Sequence, residues 1–131
     1  MIIPDYPNRS KGHYLGTEID EKWWKRYKKD KLFARGNGEY WFDETVFYFL
    51  RYLTKQPIEI PLKMIFRFDI GKTHAGRWLF RQWVLKLVWK KDGLTLSSGF
   101  IVARNQQETE AVMADLKRLV AKRSITHCGF A

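Results

Sequence analysis

The sequence has almost no cysteine and no long apolar run. Cys128 is the only cysteine in 131 residues, which excludes an internal disulfide and any metal site built from several thiolates. A reducing, cytoplasmic compartment is therefore expected. The N-terminal residues contain no apolar stretch long enough for a signal peptide, and the longest strongly apolar run, residues 46–50, is far too short to span a bilayer. Cys128 fits the prenylation pattern only formally, because Gly129 and Phe130 stand at its aliphatic positions.

The sequence also lacks a catalytic or cofactor-binding motif. Residues 71–78, GKTHAGRW, match the end of a phosphate-binding loop, but Phe66 occupies the position where that motif needs its first glycine. The three histidines are scattered, and Ser97-Ser98-Gly99 has no strand–turn–helix context of a nucleophile elbow. We therefore predict a non-enzymatic protein with no cofactor and no metal site.

What the sequence does have is positive charge. Lysine and arginine number 24 against 14 acidic residues, a net charge of +10, which predicts an anionic partner such as acidic lipid headgroups, an acidic protein or nucleic acid. Residues 51–91 contain ten basic residues, opposed only by Glu59 and Asp69. This basic face either meets an anionic surface or is a solvated sheet face whose lysines protect strand edges.

The first 30 residues predict an irregular arm followed by a short helix. Prolines and glycines interrupt residues 1–16. Thr17 then begins a segment in which Ile19, Trp23 and Tyr27 share one helical face, and lysines and arginine cover the rest. One interpretation is an interfacial helix with tryptophans at the level of lipid headgroups. The other is a helix that lies across a sheet, with Trp23 filling a gap.

The middle of the chain has the period of strands. Alternating or β-rich stretches occupy residues 32–44 (with a turn or bulge at 36–38), 45–53, 58–62, 64–71, 83–91 and 94–103. Asp43-Glu44 and Asp92-Gly93 are predicted turns, the second a strong hairpin signal. Leu85, Leu87 and Trp89 are two residues apart, which places them on one, core-facing side of their strand.

A last amphipathic helix is predicted over residues 106–123. Asn105 is a good N-cap, and Val112, Leu116, Leu119 and Val120 form a single apolar stripe. The expected fold is mostly β (α+β): a bent antiparallel sandwich or partly open barrel of six or seven strands, capped by this helix and preceded by the short N-terminal helix. The predicted division is 1–30 arm and helix, 31–123 the β domain, and 124–131 a flexible tail.

The order of these elements resembles the pleckstrin-homology-like superfold, especially its GRAM-like and bacterial members. The matching stretches are LFARGNGEYWFDETVFYFLRYL, PIEIPLKMIFRFDIG and VLKLVWKKDGLTLSSGFIVA with the final helix, about residues 31–123. The resemblance implies a bent antiparallel sheet capped by a C-terminal helix. It also implies a binding module for lipid headgroups or protein segments.

Together these features predict a non-enzymatic binding module that docks to acidic lipid headgroups or to an acidic protein partner. It would be cytoplasmic, with a possible peripheral attachment to a membrane. The predicted anion-binding residues lie in the 71–78 segment and on the strands beside it: Lys72, His74, Arg77, Arg67 and Lys86. Single-stranded nucleic-acid binding, with tryptophans stacking on bases, and a structural or oligomerisation module without ligand are the alternatives.

Overall fold

A computed structural model describes residues 9–29, 32, 35–79 and 81–128. Residues 1–8 of the predicted arm and 129–131 of the predicted tail lie outside the described residues. The elements in chain order are β1 Ser10–Ile19, β2 Lys22–Arg26, β3 Gly36–Phe42, β4 Val46–Arg51, β5 Ile58–Pro61, a 3-10 turn Leu62–Met64, β6 Ile65–Gly71, β7 Thr73–His74, β8 Arg77–Trp78, β9 Val84–Lys91, β10 Leu94–Ile101 and α1 Gln106–Cys128.

Eight strands form one antiparallel sheet in the order β5-β4-β3-β1-β10-β9-β6, with β2 added to β1. The strand β1 is central, because it pairs with β10 along one side and with β3 and then β2 along the other. β7 and β8 form a separate two-stranded ribbon. A chain of short strands joined by turns thus builds a mostly β protein with one C-terminal helix.

The sheet curls strongly although it does not close into a barrel. Its edge strands, β5 and β6, are consecutive in the chain and are joined only by the 3-10 turn. Six inter-strand steps would hold the edges of a flat sheet about 29 Å apart. The four Cα-to-Cα steps from Pro61 to Ile65 reach at most about 14 Å, so the sheet must bend until its two edges approach each other.

Inside this curve lies an apolar core that α1 covers. The helix contacts β6, the 3-10 turn and β9, and it buries Leu116 completely. Val112, Met113, Leu119 and Val120 pack against the same core, so the predicted stripe faces the sheet. The amide of Glu108 donates to Asn105 Oδ1 at 2.8 Å, which confirms the predicted N-cap. The helix continues to Cys128, beyond the predicted end at residue 123.

The core contains a directed chain of hydrogen bonds. At one end Trp89 Nε1 donates to Ser98 Oγ at 3.1 Å, and at the other end Tyr14 Oη donates to Leu32 O at 2.8 Å. Between these ends Thr17 Oγ1 lies 2.7 Å from Ser98 Oγ and 2.6 Å from Tyr14 Oη. An indole N–H only donates and a carbonyl only accepts. The three hydroxyls between them must therefore each accept one bond and donate the next. Burial raises the pKa of Tyr14, so its proton stays in place.

The predicted N-terminal helix is wrong. The segment forms the end of β1 and all of β2, joined by a tight turn in which Asp20 and Glu21 have φ angles of 55° and 56°. Residues 10–16, predicted as part of an irregular arm, form the first half of β1. Pairing decides against the helix, because β1 uses its backbone groups in ladders on both sides and this outweighs a local helical pattern.

The other turn predictions have mixed outcomes. Asp43 Oδ1 accepts from the amides of Thr45 and Val46 at the β3–β4 turn, and Asp92-Gly93 closes the β9–β10 hairpin, so both predicted turns are confirmed. Residues 36–38 neither turn nor interrupt their strand, since they open β3. A side chain at Gly38 would place its Cβ 2.1 Å from Leu50 O, which explains why a glycine is required there.

Candidate functional site

The candidate site lies on the outer face of the sheet, opposite the core. Neighbouring residues of a strand point to opposite faces. Thr17 and Ser98, paired across β1 and β10, point into the core, so their sequence neighbours Glu18 and Ser97, also paired, point outward. The next outward row contains Gly16, Gly99, Lys86 and Asp69 on β1, β10, β9 and β6. The outer face therefore combines carboxylates, a hydroxyl, an ammonium group and two glycines.

Gly99 makes room for His74, which comes from the β7–β8 ribbon, whereas a Cβ on Gly16 would meet the guanidinium groups of Arg26 and Arg35. A Cβ on Gly99 would lie 2.5 Å from His74 Cδ2, so the imidazole fills the space that a side chain would need. His74 Nε2 donates to Gly16 O at 2.9 Å. The ring is fully buried, and this burial lowers the pKa of His74, while Glu18 acts in the opposite direction. A neutral imidazole with its proton on Nε2 follows.

Polar contacts hold the ribbon against the sheet. Its turn uses Ala75 and Gly76, both with positive φ angles of 49° and 82°. The amide of Ala75 donates to Glu18 Oε2 at 2.8 Å, and Arg35 donates to Ala75 O at 2.8 Å. The Ala75 amide thus binds a carboxylate, and the carbonyl group of the same residue binds a guanidinium.

An open cleft of about 520 Å³ separates the ribbon from β2 and the outer face of the sheet. Two tryptophans, three carboxylates and one ammonium group are among its lining residues. The lining consists of Glu18, Glu21, Trp23, Asp69, Thr73, His74, Gly76, Trp78, Lys86 and Ser97. The cleft is thus acidic in a protein that is strongly basic overall.

Two buried polar atoms of the lining residues find no hydrogen-bond partner among the described residues: His74 Nδ1 and Ser97 Oγ. His74 Nδ1 lies 3.8 Å from Glu18 Oε1, which is too long for a hydrogen bond. In the neutral ring Nδ1 carries a lone pair, so it and the carboxylate are two acceptors facing each other. An unpaired buried polar atom costs about 1–3 kcal/mol. Guanidinium donors lie close by, because Arg26 and Arg35 are within 3.4 Å of the Cβ position of Gly16.

Three exposed indoles form what we term the tryptophan surface: Trp23, Trp24 and Trp78. Their exposed fractions are 62%, 61% and 71%. Trp23 and Trp24 are in edge-to-face contact at 5.6 Å. Trp23 also lies 3.5 Å from the Cβ position of Gly76 and, with Trp78, borders the cleft. Large apolar side chains grouped on a surface mark an interaction site more often than single ones do.

The five predicted anion-binding residues occupy different environments. Arg67 forms ion pairs with Asp69, at 2.9 Å, and with Glu21. Lys72 lies 4.4 Å from the centre of the Trp83 ring. His74 is buried in the two-stranded ribbon, and Lys86 lines the acidic cleft. Arg77 lies on β8, opposite His74 in the ribbon. The role of these residues in anion binding stays a prediction.

Sequence reasoning missed Glu18 and misjudged Trp23. Both fall in the segment predicted as a helix, and one of its two interpretations had Trp23 filling a gap. Asp20 between two β-rich stretches was the available signal, since aspartate tolerates the positive φ angle of a tight turn. Recognising that turn would have placed Glu18 on a strand and the two tryptophans on an edge.

The described residues contain no group of three or more His, Cys, Asp or Glu that could hold a metal ion. Within the same residues, no helix has the length and apolar character needed to cross a membrane. No protein-family model matches the chain, and no curated protein is significantly similar to it in sequence.

Proposed function

We propose that this protein is a non-enzymatic module that docks peripherally on an anionic membrane surface through the tryptophan surface and the lysines around it. The single observation that carries the proposal is the exposure of Trp23, Trp24 and Trp78 on one contiguous surface. Indole rings prefer the headgroup level of a bilayer, where their apolar body and polar N–H are both accommodated. A resemblance to pleckstrin-homology-like domains agrees with this function, and the β-rich fold with its C-terminal helix is compatible with it.

The charges next to these indoles have the sign that such docking requires. Residues 20–29 contain five basic residues, Lys22, Lys25, Arg26, Lys28 and Lys29, against two acidic ones. One of these acids, Glu21, is already paired with Arg67. Each lysine or arginine near an anionic leaflet contributes about 1 kcal/mol to binding, so the excess of three is enough to favour acidic over neutral lipid.

The surface is also anchored well enough to present its side chains. Tyr27, directly after β2, is buried, and its amide donates to Thr17 O at 2.8 Å. β2 itself pairs with the end of β1. Trp23 and Trp24 thus extend from a fixed hairpin, and their binding requires no folding step beforehand.

Co-sedimentation with vesicles tests the proposal. We expect retention by vesicles containing phosphatidylglycerol, little retention by pure phosphatidylcholine, and at least about a tenfold loss for Trp24→Ala combined with Lys25→Ala, equivalent to about 1.4 kcal/mol. Tyr52→Ala is the matched control, because Tyr52 is also an exposed aromatic residue (51%) but lies after β4, away from β2 in the sheet order. Equal retention by both kinds of vesicle, or equal losses in the two variants, contradicts membrane docking.

Single-stranded nucleic acid is the competing ligand, since the same indoles and lysines could stack on bases and contact phosphates. Titration with a fluorescent oligonucleotide at several salt concentrations separates the two functions. If the protein bound the oligonucleotide with a steep salt dependence and did not bind acidic vesicles, nucleic acid and not a membrane would be its ligand.

A further inference from the structure

We infer that the β7–β8 ribbon is a proton-sensitive flap, which leaves the outer face of the sheet when His74 takes up a proton. The inference does not depend on membrane docking, because it rests on the way in which the ribbon is attached. β7 and β8 pair with each other as a separate two-stranded sheet and not with a strand of the large sheet. The ribbon is therefore held to the sheet by its side chains and its turn, which a local change can release.

His74 is the anchor of the ribbon. Its ring is fully buried and occupies the space beside Gly99, where Cδ2 lies 2.5 Å from the position of a Cβ. Nε2 of the ring donates to Gly16 O at 2.9 Å. At the turn the Ala75 amide donates to Glu18 Oε2 at 2.8 Å. The ribbon can leave the sheet only if the imidazole leaves this enclosure.

A second proton on the ring would find no acceptor at hydrogen-bond distance among the described residues. Because Nε2 already donates to Gly16 O, that proton must go to Nδ1, which has no hydrogen-bond partner in the described part of the chain. Glu18 Oε1 is 3.8 Å away, beyond the range of a hydrogen bond. An imidazolium in this place would thus be buried without a partner for its new N–H, which is costly.

The charges around the ring do not remove this cost. Charged side chains reach the region from each neighbouring element: Glu18 on β1, Arg26 on β2, Arg35 before β3, Lys86 on β9, and the ion-paired group of Glu21, Arg67 and Asp69. Burial is the largest influence on His74 and lowers its pKa. Glu18 acts in the opposite direction, whereas Lys86 and Arg35 lower the pKa further. The attached ring therefore stays neutral at a pH at which a free imidazole is charged.

Detachment removes these constraints, and the pH dependence follows from the difference. In the detached ribbon the ring is in water and titrates with its ordinary pKa of 6.5, above that of the attached ring. Below pH 6.5 the detached state therefore binds a proton that the attached state does not. Attachment is complete above pH 6.5 and weakens below it, by at most about tenfold per pH unit.

Release of the ribbon would change the tryptophan surface and the cleft together. Trp78 lies on β8, and Trp23 packs 3.5 Å from the Cβ position of Gly76 in the ribbon turn. A detached ribbon takes Trp78 away from Trp23 and opens one wall of the cleft. Acidification is thus a signal to which this surface responds.

Amide hydrogen exchange of the intact chain, followed by NMR at pH 7.5 and 5.5, tests the inference. The Ala75 amide is the probe, because its bond to Glu18 exists only while the ribbon is attached. Protection factors are compared, since they remove the intrinsic pH dependence of exchange, and we expect that of Ala75 to fall by up to about tenfold at the lower pH. The amides of Leu87 and Ser98, in the β9–β10 ladder, should stay better protected than Ala75 at both pH values, because they open only with the whole fold.

Three results would overturn the inference. Protection of Ala75 equal to that of the two ladder amides would mean that the ribbon does not open by itself. A change of less than about twofold between the two pH values would mean that the proton on His74 does not control the opening. A rise of protection in acid would show that the imidazolium pairs with Glu18 and holds the ribbon more tightly.

His74→Gln assigns the effect to the imidazole, because a glutamine can still donate to Gly16 O but does not titrate. We expect equal protection of Ala75 at both pH values in this variant, and a fall as large as in the parent would contradict the inference. Tyr52→Ala is the control, since Tyr52 is exposed after β4, and it should respond like the parent. The measurement on the parent decides the case even if His74→Gln does not fold. It contains no lipid, so its failure is distinguishable from a failure of membrane docking.

Discussion

Two polar clusters lie back to back on the same pair of strands, and they differ in how completely their hydrogen bonds are made. On the inner face, Thr17 and Ser98 belong to a chain from the Trp89 indole to Leu32 O in which every hydroxyl is used. On the outer face, Glu18 and Ser97 adjoin His74, and two buried atoms remain without a partner among the described residues. A complete buried network stabilises a fold, whereas an incomplete one marks a place where something else can bind.

The largest expected effect comes from closing the space that His74 occupies. Gly99→Ala places a methyl group 2.5 Å from the ring, and because the ring is fully enclosed we expect a loss of about 3 kcal/mol in the free energy of unfolding. Urea denaturation measures this loss. The double variant with His74→Ala should recover part of it, since the methyl group then has room. A stability of Gly99→Ala within about 0.5 kcal/mol of the parent would show that the imidazole is not held there.

The next largest loss of stability is expected from a substitution that breaks the complete hydrogen-bond network at its middle. Ser98→Ala leaves the Trp89 N–H without its acceptor and the Thr17 hydroxyl without its partner, so we expect a loss of about 2 kcal/mol. Thermal and urea unfolding both report it. If Ser98→Ala lowered the free energy of unfolding no more than Ser97→Ala does, the difference between the two polar clusters would be contradicted.

A smaller effect follows from the pKa of His74, which burial holds below its ordinary value of 6.5. As the pH falls through 6.5, the unfolded chain takes up this proton and the folded chain does not. Stability is therefore complete above pH 6.5 and is lost below it, with a slope of at most about 1.4 kcal/mol per pH unit. Urea unfolding between pH 7.5 and 5.5 measures the slope.

His74→Gln should flatten this profile, because a glutamine amide can still donate to Gly16 O but does not titrate. Tyr52→Ala is the control: Tyr52 is exposed and lies after β4, and its replacement should leave the slope unchanged. A profile that is as steep in His74→Gln as in the parent would assign the pH dependence to other groups.

The smallest effect is that of Ser97→Ala. Its hydroxyl is buried without a partner among the described residues, so its removal should change the free energy of unfolding by no more than about 0.5 kcal/mol, with stabilisation as the expected sign. Differential scanning calorimetry resolves the difference from Ser98→Ala, one residue away on the same strand. A clear destabilisation would mean that Ser97 belongs to a complete network, as Ser98 does.

Local sequence signals predicted the elements that local interactions decide. Asp92-Gly93 and Asp43-Glu44 turn because their own side chains and backbones favour it, and Asn105 caps α1 through a bond three residues away. The helix predicted over residues 17–29 was wrong because the same residues combine the spacing of a helical face with side chains that also suit a strand. The segment is extended because residues 17–19 pair with β10, a strand that comes much later in the chain, and with β2.

The candidate site could be predicted only in part for the same reason. The stretch GKTHAGRW was predicted to contain three anion-binding residues, but one of them, His74, is fully buried. The His74 ring fills the space beside Gly99 and bonds to Gly16 O, and the Glu18 contact spans 57 residues of sequence to Ala75. Contacts between residues so far apart in the chain produce no periodic pattern in the sequence from which they could be predicted.

The sequence by itself determined the mostly β character, two hairpin turns, the capped helix and its apolar stripe, because these depend on side chains within a few positions of one another. Only the tertiary structure decided which strand lies at the centre, which tryptophans stay exposed, and that a basic chain encloses an acidic cleft. Those outcomes depend on the curl of the sheet and on strand register, which bring distant residues to one face.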